Sequence, residues 1–120
     1  MGNKYDLEER LVNFATIIVE ISEIIEKTFA GKNLANQISR SGTSPALNYG
    51  EALAAESKKD FIHKIKLVLK ELRETSICLK IIKKKPLVSD PSILESSMKE
   101  CSELIAIFVK SIQTAKSRMD

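Results

Sequence analysis

Residues 40–80 read RSGTSPALNYGEALAAESKKDFIHKIKLVLKELRETSICLK, and the fold turns on how that stretch divides. Ser57 and Asp60 stand in an S-x-x-D arrangement, in which a side-chain oxygen takes a free backbone N–H at the start of a helix. Behind them Phe61, Ile65, Val68, Leu72, Thr75, Leu79 and Ile82 recur in alternating steps of four and three. That is the period of an amphipathic helix with a single buried seam. Lys83, Lys84 and Lys85 suit the negative end of its dipole and Pro86 cannot extend it, so a helix is expected over 58–85.

The half before Ser57 reads differently. Ser41, Ser44, Asn48 and Glu51 are spaced three, four and three apart, which puts them on one face of a continuous helix. Ala52 and Ala55 prolong that face with small side chains. Such a face allows close backbone approach, either within the fold, with Glu51 paired to Arg73 or a neighbouring lysine, or against another subunit, a partner or RNA. Leu34, Ala35 and Ile38 open the segment, but Gly42 and Pro45 interrupt it. Pro45 has no N–H for the carbonyl of Ser41. Either Ser44 caps a fresh helix, or one kinked helix runs over 33–56.

Working outward, Leu7, Leu11, Phe14, Ile18, Ile21 and Ile25 form another seam. Asp6 is the expected N-cap and Gly31 the stop of a helix over 6–30. After the short loop PLVSD, Asp90 should cap and Pro91 begin a helix over 91–118. Its expected seam is Leu94, Met98, Cys101, Ile105, Phe108, Ile112, Ala115 and Met119. Four amphipathic helices joined by short loops predict an all-α chain folded as an antiparallel up-down-up-down four-helix bundle, one domain over 1–120.

Composition agrees. Hydrophobic residues make up 43% of the chain and aromatics only 5%, so the core must come from aliphatic helix-on-helix packing. No apolar run approaches the roughly 20 residues of a membrane span, and the N-terminus lacks a signal-peptide stretch. Gly2 resembles the start of a myristoylation signal, but Asp6 stands where that signal needs Ser or Thr. The expected location is the cytoplasm, with no membrane partner. Cys78 and Cys101 lie far apart without metal-ligand spacing and are expected to be buried thiols.

Charge is the asymmetric quantity. The net charge is +3, yet residues 1–57 carry −3, residues 58–85 carry +7 and residues 86–120 carry −1. The basic side chains off the third seam form a stripe along one helix, the kind of footprint that attracts phosphate backbones. Lys59, Lys66, Lys70, Arg73, Lys80, Lys83, Lys84 and Lys85 are the candidate nucleic-acid-binding residues. The plainer reading is a solvated face, balanced by acids of the first helix such as Glu20, Glu23 and Glu26. No aromatic residue interleaves with the lysines, so contacts would be directed to the backbone and sensitive to salt.

Catalytic signals are sparse. His63 is the only histidine and has no second ligand at metal spacing. Glu71 and Glu74 would resemble half of a carboxylate metal motif, but no Glu-x-x-His completes it. No metal, cofactor or catalytic residue is expected.

The residues already quoted carry a resemblance. Gln37, Ile38, Arg40, Ser44, Asn48, Glu51 and Ala52, followed by Ser57, Asp60, Phe61, Lys64, Lys70, Glu71, Glu74 and Thr75, resemble the two signatures of the 23S rRNA intervening-sequence proteins. The close resemblance covers about forty residues. It departs at Pro45, where the family usually has an aliphatic residue, and at Cys78, near a common aromatic. It implies a four-helix bundle often encoded within intervening sequences of large-subunit rRNA genes, with no established enzymatic activity. It marks Arg40, Ser44, Asn48, Glu51, Asp60, Glu71 and Glu74 as signature polar positions for packing or assembly. A related group, the accessory variability determinants of diversity-generating retroelements, implies by analogy a homo-oligomer, a pentamer, that binds nucleic acid and a reverse transcriptase through basic surface. Two functions are therefore expected in competition: a non-enzymatic homo-oligomer that binds structured RNA, or a ring-forming adaptor that docks a protein partner.

Overall fold

A computed structural model describes residues 4–118, so Gly2 and Met119 lie outside the described residues. Its four helices are α1 (Lys4–Ile24), α2 (Phe29–Leu53), α3 (Lys58–Lys84) and α4 (Ser92–Ser117). Short connections make sequential helices antiparallel neighbours: α1 packs on α2, α2 on α3 and α3 on α4. α4 meets α1 more sparsely, and Arg10 closes that side by donating to Glu100 at 2.7 and 3.0 Å and to Glu103 at 3.2 Å. The result is an all-α four-helix bundle, 50 × 26 × 20 Å.

The expected seams of α1 and α3 are the observed ones. Leu11, Phe14, Ile18 and Ile21 are buried on α1, and Ile65, Val68, Leu72, Thr75, Leu79 and Ile82 on α3. Leu7 and Phe61 are half-buried against the same core. On α4 the buried line runs through Leu94, Ser97, Cys101, Leu104 and Phe108. Met98, Ile105, Ile112 and Ala115 of the expected seam sit beside it, half-buried. Tyr49 of α2 meets Phe108 edge-on at 5.7 Å, joining α2 to α4 across the core.

The first connection differs from expectation. Gly31 does not end the first helix; it lies in the first turn of α2, where its N–H donates to the capping Thr28 Oγ1 at 3.0 Å. The chain reverses between Ile25 and Thr28, with Glu26 N–H donating to the Leu87 carbonyl at 2.9 Å. A Cβ on Gly31 would come within 1.8 Å of the Glu26 carbonyl oxygen, so only glycine fits. Asp6 likewise lies in the first turn of α1 and is not its cap. Ser57 caps α3 as expected, accepting from Asp60 N–H at 3.0 Å. Asp90 accepts from Ser92 N–H at 3.0 Å, which holds its carboxyl below the usual range, although the helix begins one residue after Pro91.

α2 runs unbroken through Pro45, with no fresh start at Ser44. Its buried face is Ile38, Ser41, Gly42, Pro45, Tyr49 and Ala52, so Pro45 takes a core position in the helix.

Candidate nucleic-acid interface

The heptad that buries Leu72 and Thr75 also aligns the cations of α3. Lys59, Lys66, Arg73 and Lys80 recur every seven residues, so they form one column spanning roughly 31 Å of helix. Lys70 and Lys84 fall in the adjacent column. All eight candidate cations, including Lys83 and Lys85, are exposed. Lys83 is paired with Glu95 at 2.5 Å. Among the described residues none of the other seven has an ion pair.

That distribution bears on the solvated-face reading. Among the described residues Glu20 and Glu23 of α1 and Glu26 of the turn after it make no ion pair with the α3 stripe, and α1 does not pack on α3. Glu26 lies near the C-terminal end of α3, its N–H on the Leu87 carbonyl, but among the described residues no ion pair joins these three acids to the +7 of residues 58–85. An open groove of about 740 Å³ runs along this face, with Lys66, Lys70 and Arg73 beside Leu34, Ile77 and Ile81. Ile77 and Ile81 are 57% and 45% exposed, so the face mixes cations with uncovered apolar surface.

The signature polar residues divide between core and rim of the α2–α3 layer. Ser41 and Thr75 are fully buried and their hydroxyls are hydrogen-bonded at 2.9 Å across the two helices. Thr75 also reaches the Glu71 carbonyl at 2.8 Å. Asn48 donates to the Ser44 hydroxyl at 2.9 Å and to its carbonyl at 3.1 Å. Glu51 accepts from Lys64 at 2.6 Å, not from Arg73, and holds the lysine above its usual range. Glu71 keeps one buried carboxylate oxygen without a partner among the described residues. Arg40 is exposed and Glu74 half-exposed, and both act electrostatically on Cys78. Asp60 stays in the α3 cap.

Both thiols are buried. Burial, then the Glu100 charge, pushes Cys101 up to about 12, and its thiol donates to the Leu72 carbonyl at 3.2 Å. Burial also raises Cys78. Such thiols are poor nucleophiles and metal ligands. Among the described residues no three His, Cys, Asp or Glu side chains converge in a metal-binding group, and no helix is long and apolar enough to cross a membrane.

Sequence reasoning missed a second groove, between the start of α3 and the last turns of α4, in which Lys58, Lys110 and Arg118 surround Phe61 and Ile107. Lys110 and Arg118 lie far from the α3 stripe in the chain, and neither belongs to a run, so no local pattern marks them.

No curated protein matches the chain. A solved structure from Bacteroides thetaiotaomicron, described as a protein of unknown function from the S23 ribosomal protein family, superposes with a TM-score of 0.76 at 28% identity. The match covers 88% of this chain and 96% of that one. Neither that description nor the family's names an enzymatic activity. With the 23S rRNA-intervening sequence protein family matching residues 3–110, the chain belongs to that family.

Proposed function

We propose that the protein is a non-enzymatic, cytoplasmic homo-oligomer that binds structured RNA through the exposed column of α3. The observation that carries this reading is the set of seven exposed cations on α3 and its C-cap that have no ion pair among the described residues, with Lys59, Lys66, Arg73 and Lys80 in a single line. A line of charge without interleaved aromatics suits the phosphate backbone of a folded RNA better than splayed bases. Lys66→Glu with Arg73→Glu reverses charge at the centre of the line on exposed positions. The double variant is expected to lose at least tenfold in affinity for an RNA hairpin, whereas Lys99→Glu on α4 should change it less than threefold. Equal affinities for the double variant and the unaltered protein would remove the stripe as the site.

Uncovered apolar side chains on α1 and α2, among them Val12 and Leu47, support self-association. The resemblance to the accessory variability determinants implies five copies of the 13.4 kDa chain. Light scattering before and after nuclease treatment measures the mass and any RNA carried with it. A monomer at micromolar concentration would refute the oligomer.

One observation favours the second reading, an adaptor for a protein partner such as a reverse transcriptase. Ile77 and Ile81 lie open beside the stripe, where a nucleic acid backbone has no use for them. On that reading Ile77→Glu with Ile81→Glu abolishes capture of a defined protein partner while RNA affinity is absent in both forms.

A further inference from the structure

The groove at the other end of α3 holds about 920 Å³ and is open to solvent. Phe61, Ala106 and Ile107 give it an apolar floor, and Lys58, Lys110 and Arg118 stand around it. Glu56 is the only acid in its lining. Ser111 and Thr114 add hydroxyls along the α4 wall. Three cations against one acid call for an anion, and a half-buried phenyl ring with an isoleucine calls for a flat apolar body. A nucleotide has both parts. Lys58 in its lining is followed in the chain by Lys59, the first member of the column, so groove and stripe both begin at the first turn of α3.

We propose that this groove binds one unpaired nucleotide of an RNA whose folded part lies along α3, with its base against Phe61 and Ile107 and its phosphate held by Lys58, Lys110 and Arg118. The inference rests on the RNA reading of the stripe, and it adds a preference. Folded RNA with a single-stranded tail should bind better than the same fold without one. The stripe supplies affinity for any phosphate backbone, and the groove selects the junction between paired and unpaired strand. Phe61 supplies the stacking surface that the stripe lacks.

The experiment compares a blunt RNA hairpin with the same hairpin carrying a four-nucleotide 3′ or 5′ tail, and titrates adenosine 5′-monophosphate alone by amide NMR. The unaltered protein is expected to prefer a tailed hairpin by roughly tenfold, the order that one stacked base contributes. Lys110→Gln with Arg118→Gln, both on exposed residues, should abolish that preference while blunt-hairpin affinity stays within threefold. Phe61→Leu, which keeps apolar bulk, should reduce the preference several-fold. A preference that is absent from the unaltered protein, or that survives the double glutamine variant, overturns the proposal. If neither hairpin binds, the stripe reading fails; the groove then stands only if the mononucleotide shifts the amides of Phe61, Ile107 and Lys110, and falls if they do not move. A drop in oligomer mass caused by the glutamine pair also overturns it, because the groove is then covered by a second copy.

Discussion

Gly42 and Gly50 lie eight residues apart in α2 and do opposite things. A Cβ on Gly42 would sit 2.4 Å from Ile18 Cγ2 and 2.8 Å from its Cβ, so α1 and α2 touch there through the missing side chain. A Cβ on Gly50 would meet no atom of the described residues within 4 Å beyond its own stretch of helix. Gly42→Ala should therefore cost about 1–3 kcal/mol by overpacking. Gly50→Ala should be neutral or raise stability by about 0.5–1 kcal/mol, because alanine is the better helix former. Urea denaturation of the two variants checks the contrast. Cys101 offers a test in pH. Its thiol rises from 9.0 to about 12 in the folded chain, so the unfolded chain ionises first. Folding stability should be complete below pH 9 and fall as pH climbs towards 12. Cys101→Ala should lose less stability over that window, and denaturation curves of both proteins at pH 8 and pH 11 measure the difference.

At the scale of the element, α3 was fully legible and α2 only in part. α3 obeys local rules from end to end: a serine cap, an unbroken four-three seam, a basic last turn and a proline after it. In α2 the polar spacing of Ser41, Ser44, Asn48 and Glu51 suggested one face, but the helix splits it. Ser41 is fully buried, Ser44 and Asn48 are half-buried, and Glu51 is exposed. The buried line follows Gly42, Pro45 and Tyr49, because α1 and α3 both pack against α2 and the glycine admits Ile18. Gly31 departs from the helix stop expected of it for a similar reason. Its role comes from the Glu26 carbonyl and a cap at Thr28, neither of which hydrophobic period reports. Helix pairing by Ser41 and Thr75 can be measured. Thr75→Val leaves a buried hydroxyl with only a 3.5 Å contact to the Ile38 carbonyl, and should cost about 1–3 kcal/mol. Adding Ser41→Ala should recover part of that loss, and a double-mutant cycle gives the coupling between them. Additive losses would mean that the pair does not bind α2 to α3.

In the whole molecule, charge and packing are separate systems. The core is mostly aliphatic, with Phe14, Tyr49 and Phe108 among its buried residues, and the exposed cations of α3 take no part in it. The stripe was readable from residue types alone, since every heptad that places an apolar residue inward places Lys59, Lys66, Arg73 or Lys80 outward. Which of its cations are paired was not readable: Lys64 and Lys83 have acid partners, while among the described residues their basic neighbours have none. The second groove was also hidden, since it joins residues about fifty positions apart and forms only when α4 returns past the start of α3. The most direct test is the salt dependence of RNA hairpin binding, followed by fluorescence anisotropy between about 50 and 200 mM KCl. For the unaltered protein the logarithm of affinity should fall steeply with the logarithm of salt, by about 0.9 per phosphate neutralised. Lys66→Glu with Arg73→Glu should make that slope shallower by about two. A slope near zero, or one the double variant leaves unchanged, would contradict RNA binding along α3.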